Sequence, residues 1–200
     1  MVIAMGLATA ACGATSTVPR SATTAKFAGA ILAHALPKPE IILTDTDSKP
    51  YNLRPETEGK VTLLYFGYTH CPDVCPVNMA ALAAALRQLP ATFDNKITVV
   101  FVTTDPARDT PTRLRTWLNQ FDPKFVGLTG SAIQIASAQM EAGLWVATKE
   151  SDGQGGYGVN HAAFTLVYTR DNLAHLAFPS GLPIAAQASD LRILVTRGWS

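Results

Sequence analysis

Little charge, few cysteines and no long apolar run mark this 200-residue chain before any motif does. Charged residues make up 16% and the net charge is +1, with no block of Lys or Arg, so a general nucleic-acid surface is excluded. Hydrophobic residues reach 48%, which excludes a disordered chain. No stretch approaches the ~18 consecutive apolar residues of a complete transmembrane helix. The three cysteines, Cys12, Cys71 and Cys75, are too few for a disulfide framework in a chain of this length. No internal repeat is present. What remains is the composition of one globular domain of about 150 residues with a tail.

The tail comes first. Residues 1–12, MVIAMGLATAAC, are small and apolar up to the cysteine. Thr9-Ala10-Ala11-Cys12 resembles a bacterial lipoprotein processing site, in which Cys12 becomes lipidated. Thr9 stands where Leu is usual, and no basic residue precedes the apolar run. The alternative is an incidental cysteine in a tail. Residues 13–35, rich in Ala, Thr, Ser and Gly, read as a flexible tether, and the folded domain is expected over 36–200. This leader implies the extracytoplasmic side of a bacterial cell membrane, with a lipid on Cys12 as anchor.

Within the domain, Ile41–Leu43 and Tyr51–Leu53 flank turn residues and form a hairpin. Residues 61–67, VTLLYFG, and 97–103, ITVVFVT, are continuous apolar runs, the pattern of strands covered on both faces. From Pro76 the period becomes helical, with Met79, Leu82, Leu86 and Leu89 on one face. A second helix starts at Pro111, capped by Asp109 or Thr110. A third is capped by Ser131 and carries Ile133, Ala136 and Met140 on its apolar face. Residues 163–169 and 173–178 form a hairpin, and a last helix from about Ile184 buries Ala188, Leu191 and Val195. A buried strand running into a cysteine pair at a helix start, closed by a hairpin and helix, predicts a thioredoxin-like α/β fold with a central mixed sheet and flanking helices.

Cys71 and Cys75 are four residues apart, a spacing that puts two side chains on one side of a helical turn. At a helix N-terminus the dipole favours thiolate. Two thiolates select Cu(I), or bind zinc and other thiophilic ions, and the same pair could cycle as a disulfide. The glycine-rich stretch Gly153–Gly158 is followed by a strand, not a helix, so it is no phosphate cradle and no nucleotide is expected. It reads as a mobile loop.

The segment YFGYTHCPDVCP at 65–76 resembles the signature of the Sco/SenC copper proteins. Asp105–Pro111, DPARDTP, is similar to that family's second motif, and Val159-Asn160-His161 falls where the family has its ligand histidine. The likeness spans residues 40–197. It implies a membrane-tethered thioredoxin-like domain that holds copper, as Cu(I) or Cu(II), on Cys71, Cys75 and His161. It also implies delivery of that copper to an acceptor protein, a cytochrome c oxidase subunit, for the dinuclear copper centre. The family has Asp-His followed by Ser or Thr, whereas this chain has Asn160-His161-Ala162. Asp73, Asp105, Arg108 and Asn160 are candidates for groups around the ligands. Asp73 reads equally as surface charge, and the 105–111 segment as a turn and helix cap. His34, His70 and His175 read as surface or structural residues.

Three functions fit these residues. A copper chaperone needs no turnover, so the chain need not be an enzyme. A thiol–disulfide oxidoreductase would use Cys71 and Cys75 as catalytic residues, reducing the cysteines of a copper acceptor. A structural zinc module would lack its fourth ligand.

Overall fold

The computed structural model describes residues 27–199. Eight strands form one mixed sheet: β1 (Ala30–Pro37), β2 (Ile42–Asp45), β3 (Pro50–Asn52), β4 (Val61–Gly67), β5 (Ile97–Thr103), β6 (Val126–Thr129), β9 (Phe164–Tyr168) and β10 (Leu173–Pro179). Their order across the sheet is β1-β10-β9-β4-β5-β6-β2-β3. β4, β5 and β6 run parallel, and the remaining pairings are antiparallel. A separate two-stranded sheet pairs β7 (Thr148–Ser151) with β8 (Tyr157–Asn160).

The continuous apolar runs of β4 and β5 follow from helices on both faces. Leu63, Tyr65, Val99 and Phe101 point to one side, where they meet α2 (Val74–Arg87), α3 (Pro111–Leu118) and α5 (Ile184–Arg197). Leu64, Phe66, Val100 and Val102 point to the other, towards α4 (Ala132–Glu141) and α1 (Leu53–Glu56). No polar face is left on these strands because neither side meets water. Helix starts follow the expected chemistry: Arg113 N–H donates to Thr110 Oγ1 at 3.2 Å, and Ser131 forms a capping box with Gln134. No helix among the described residues is long and apolar enough to cross a membrane.

Three expectations are corrected. The sheet begins at Ala30, inside the segment assigned to the tether; β1 pairs with β10 through backbone bonds that its mostly exposed side chains do not advertise. The apolar face of α4 is Ile135, Ala138 and Ala142, whereas Ile133 and Met140 are 83% and 61% exposed. The helix keeps the expected period with its buried face rotated, and Gln139 lies on that face, where it accepts the Ala147 N–H at 3.1 Å. Finally, the glycine-rich stretch makes the turn of the β7–β8 hairpin over residues 152–156 and enters β8 at Tyr157: Gly153 and Gly155 take left-handed φ of 73° and 88°, and Asp152 Oδ1 accepts the N–H groups of Gln154 and Gly156, each at 2.8 Å.

Candidate metal centre

The central strand β4 ends at Gly67. A Cβ there would stand 2.9 Å from Cys75 Sγ and 2.6 Å from the Tyr65 ring, so only glycine lets the strand pass this close to the sulfur. The chain then turns through residues 68–73 and enters α2. Cys75 is the second helical residue, while Cys71 precedes the helix by three positions. The two sulfurs therefore do not stack on one helical turn, as the spacing suggested. Instead the loop folds Cys71 over the helix start, where its Sγ accepts the Cys75 N–H at 3.4 Å. Pro76 takes the third helical position, which needs no N–H donor.

A buried carboxylate fixes this loop. Asp109 is fully buried and accepts the Thr69 N–H at 2.9 Å, the Thr69 hydroxyl at 2.6 Å and the Thr103 hydroxyl at 2.7 Å. The residue expected as a helix cap is thus an anchor for the cysteine loop, and Thr110 alone caps α3. The sequence signal was present in the choice of Asp directly before a sufficient cap, but that position also suits ordinary capping.

His161 arrives from the opposite direction, on the link between β8 and β9. Strand alternation turns Val159 inward and Asn160 outward, and the next residue, His161, is buried. Its Nδ1 lies 3.1 Å from the Ala162 carbonyl, which places the N–H there and leaves the Nε2 lone pair free. Nε2 lies 3.3 Å from Cys75 Sγ. The donor atoms of Cys71, Cys75 and His161 all lie within 4.8 Å of one another. Tyr65 and Tyr68 set their rings edge-on to the imidazole, with centroids 6.0 and 5.7 Å away.

The other candidates divide. Asp105 and Arg108 pair with each other and hold the histidine hairpin: Tyr157 donates its hydroxyl to Asp105 Oδ1 at 2.9 Å, and Arg108 donates to the Tyr157 carbonyl at 3.2 Å. The Arg108 guanidinium also lies over the Tyr157 ring at 3.8 Å and over Tyr68 at 5.8 Å. Asp73 is exposed and outside the three-residue group; what it contributes is its backbone N–H, which donates to Cys71. Asn160 is exposed and donates to Glu150 at 3.2 Å, so it does not support the imidazole as expected. The Ala162 carbonyl has that position instead. His70 turns towards Thr69 and Asp109, and His34 lies exposed on β1. His175 pairs with Asp171 and stacks on Trp199, away from the sulfurs. Cys12 lies outside the described residues.

The two thiols are free and unequal. The Cys75 thiol donates to Cys71, and together with the N–H groups of Asp73 and Cys75 it outweighs burial, pulling the Cys71 thiol down to about 3. Burial, then the bond it gives to Cys71, pushes Cys75 well above the ordinary thiol range. Cys71 is 8% exposed and Cys75 not at all, so the more anionic sulfur is also the reachable one.

Two thiols and one imidazole gathered at the end of the central strand of a thioredoxin-like domain define a soft-metal or thiol-redox protein. The chain belongs to the SCO1/SenC family, whose model matches residues 38–196. Yeast SCO2, a mitochondrial protein, is 36% identical over 123 residues, covering 61% of this chain and 40% of that protein. A Stutzerimonas stutzeri protein named for copper binding is 35% identical over 125 residues, covering 62% of this chain and 60% of its own. The chain thus matches less than two thirds of the length of these relatives. Among solved structures, copper-bound ScoI from Bradyrhizobium japonicum is 33% identical with a TM-score of 0.70, covering 79% of this chain and 98% of that one. Apo Sco1 from Thermus thermophilus is also 33% identical, with a TM-score of 0.74 over 84% of this chain and 97% of that one.

Proposed function

We propose that this domain binds copper through Cys71, Cys75 and His161 and passes it to a copper-acceptor protein, a subunit of cytochrome c oxidase, on the extracytoplasmic side of the bacterial cell membrane. The observation that carries the reading is the convergence of three donor atoms within 4.8 Å. The donor set fits the ion. Thiolate sulfurs select Cu(I), and imidazole with thiolate also accepts Cu(II). With three protein donors, the metal keeps a position open to a ligand from the acceptor. The copper named in the Bradyrhizobium structure and the Stutzerimonas protein supports this choice over zinc. The membrane location, with a lipid on Cys12, rests on the sequence Thr9-Ala10-Ala11-Cys12.

The test is an anaerobic Cu(I) titration of the reduced protein. The wild type takes up one equivalent, His161→Ala binds more weakly, and Cys71→Ser/Cys75→Ser binds none. Unchanged uptake in the double serine variant would sink the copper reading.

The inequality of the thiols favours a second activity, reduction of an acceptor's disulfide. The Cys71 thiolate attacks one sulfur of that disulfide, forming a mixed disulfide and releasing the acceptor's other sulfur as thiolate. Cys75, losing its proton, then attacks Cys71; the Cys71–Cys75 disulfide forms, and the acceptor leaves with two thiols and two electrons. Cys75→Ser protein should trap the mixed disulfide with an oxidised acceptor peptide, and failure to trap it counts against this activity.

A further inference from the structure

Tyr65 lies on β4 beneath the sulfur pair and is fully buried. Its hydroxyl oxygen is 3.6 Å from Cys75 Sγ and accepts a hydrogen bond from Asn78 Nδ2 at 3.2 Å. A phenol has a single proton to give. Asn78 can only donate through that nitrogen, so the Tyr65 proton is left for the sulfur. Asn78 follows Cys75 by three residues on α2, which brings both side chains to the same face of the helix and so to the same phenol. It is itself buried, at 7% exposure. Burial keeps the Tyr65 hydroxyl protonated, and therefore a donor. The resulting chain runs from the Asn78 amide through the Tyr65 hydroxyl to Cys75.

We propose that Asn78 and Tyr65 form a positioning relay that draws electron density from the Cys75 sulfur and so biases the site towards Cu(I) over Cu(II). This rests on the copper reading above. A hydrogen bond to a ligand sulfur makes the thiolate a poorer donor to the more oxidised ion, and hydrogen bonding around cysteine sulfur is one of the levers by which proteins tune copper potentials. The relay is buried, so each of its bonds is electrostatically stronger than in water and polarises the next. The phenol ring contributes separately: it lies 5.9 Å from Phe101 and 6.0 Å from the imidazole, packing that a phenylalanine would keep. The hydroxyl can therefore be removed alone.

The experiment compares wild type, Tyr65→Phe and Asn78→Leu, each loaded with Cu(II) for its thiolate-to-copper charge-transfer band and titrated with Cu(I) against a competing chelator. In Tyr65→Phe the band moves to longer wavelength, and the ratio of Cu(I) to Cu(II) affinity falls by about tenfold, the lower end of effects from groups around a metal ligand. Asn78→Leu moves both readouts the same way by less, and adding it to Tyr65→Phe changes nothing further, because both act through one bond. A purely structural role would lower thermal stability without moving the band. An unmoved band and an unchanged ratio in Tyr65→Phe overturn the relay; if that variant does not fold, the same result in Asn78→Leu does so. A wild type that takes up no copper overturns the copper reading instead. The relay is then read in metal-free protein from equilibrium with glutathione, in which the dithiol and oxidised glutathione give the Cys71–Cys75 disulfide and two reduced glutathiones. Loss of the hydroxyl should favour the disulfide by about threefold to tenfold, the worth of one hydrogen bond, and no shift overturns the relay there also.

Discussion

The thiol side and the imidazole side of the site are built differently. Cys71 and Cys75 stand at the end of β4, in the middle of the eight-stranded sheet, on a loop tied to a fully buried carboxylate. His161 comes from the end of a two-stranded sheet outside the main one, held by a cluster in which Asp105 is buried but its partners Arg108, Tyr157 and Lys149 are partly or largely exposed. The thiol half shares its supports with the core of the fold; the imidazole half rests on a few polar and stacking contacts. A change on the first side should therefore cost folding and binding together, and a change on the second should cost binding with little loss of stability.

The largest effect is expected at Asp109. Asp109→Ala leaves the Thr69 N–H and two threonine hydroxyls without their acceptor inside the protein. Stranded buried donors cost about 1–3 kcal/mol each, so urea denaturation should show a loss of at least about 3 kcal/mol, with copper affinity falling in parallel. Normal stability in this variant would break the contrast on its thiol side. A smaller effect of the same kind is expected for Gly67→Ala, whose methyl would press on Cys75 Sγ and the Tyr65 ring. Overpacking of this sort costs about 1–3 kcal/mol, checked by thermal melting, and again affinity and stability fall together.

The same division marks what could be read from the chain. Elements that bury side chains on both faces, such as VTLLYFG and ITVVFVT, announce themselves through composition, and Cys71 and Cys75 through spacing. Elements held by backbone bonds at the surface do not: β1 and β7 are built largely from exposed residues, and a run of glycines reads as a loop whether or not it closes a hairpin. The phase of α4 is hidden because Ile133 and Met140 are more apolar than the alanines, Ala138 and Ala142, that pack into the core. His161 was legible through the family motif, but its surroundings were not. Its acceptor is the carbonyl of Ala162, and a backbone group leaves no mark on the side-chain sequence. Tyr65 was hidden differently, since a tyrosine in a buried strand reads as core until the sulfur is found beside its hydroxyl.

On the imidazole side, Arg108→Lys keeps the charge beside Asp105 but loses the planar stack on Tyr157 and the fork that reaches both Asp105 and the Tyr157 carbonyl. Stability should fall by only about 1 kcal/mol, since the stack is partly exposed. Copper affinity should fall by about tenfold through a less well placed His161. Alkylation of Cys71 in the metal-free protein should be unchanged, because its loop is anchored elsewhere. A loss of stability as large as that of Asp109→Ala would show that the hairpin is as integral to the fold as the cysteine loop.

The smallest effect is expected at the residue next to the ligand. Asn160→Ala removes one exposed hydrogen bond to Glu150 across the β7–β8 pair and nothing that touches the imidazole. Surface changes of this type stay within about 0.5 kcal/mol, and copper affinity should stay within about twofold of wild type. Asn160→Asp, which restores the residue implied by the family pattern, should be equally silent, because the side chain at this position points away from the site and its charge would face solvent beside Glu150. A tenfold gain in affinity for Asn160→Asp would mean that the side chain turns inward when the metal binds, and the imidazole side would then be remodelled by its ion rather than set beforehand by the Ala162 carbonyl.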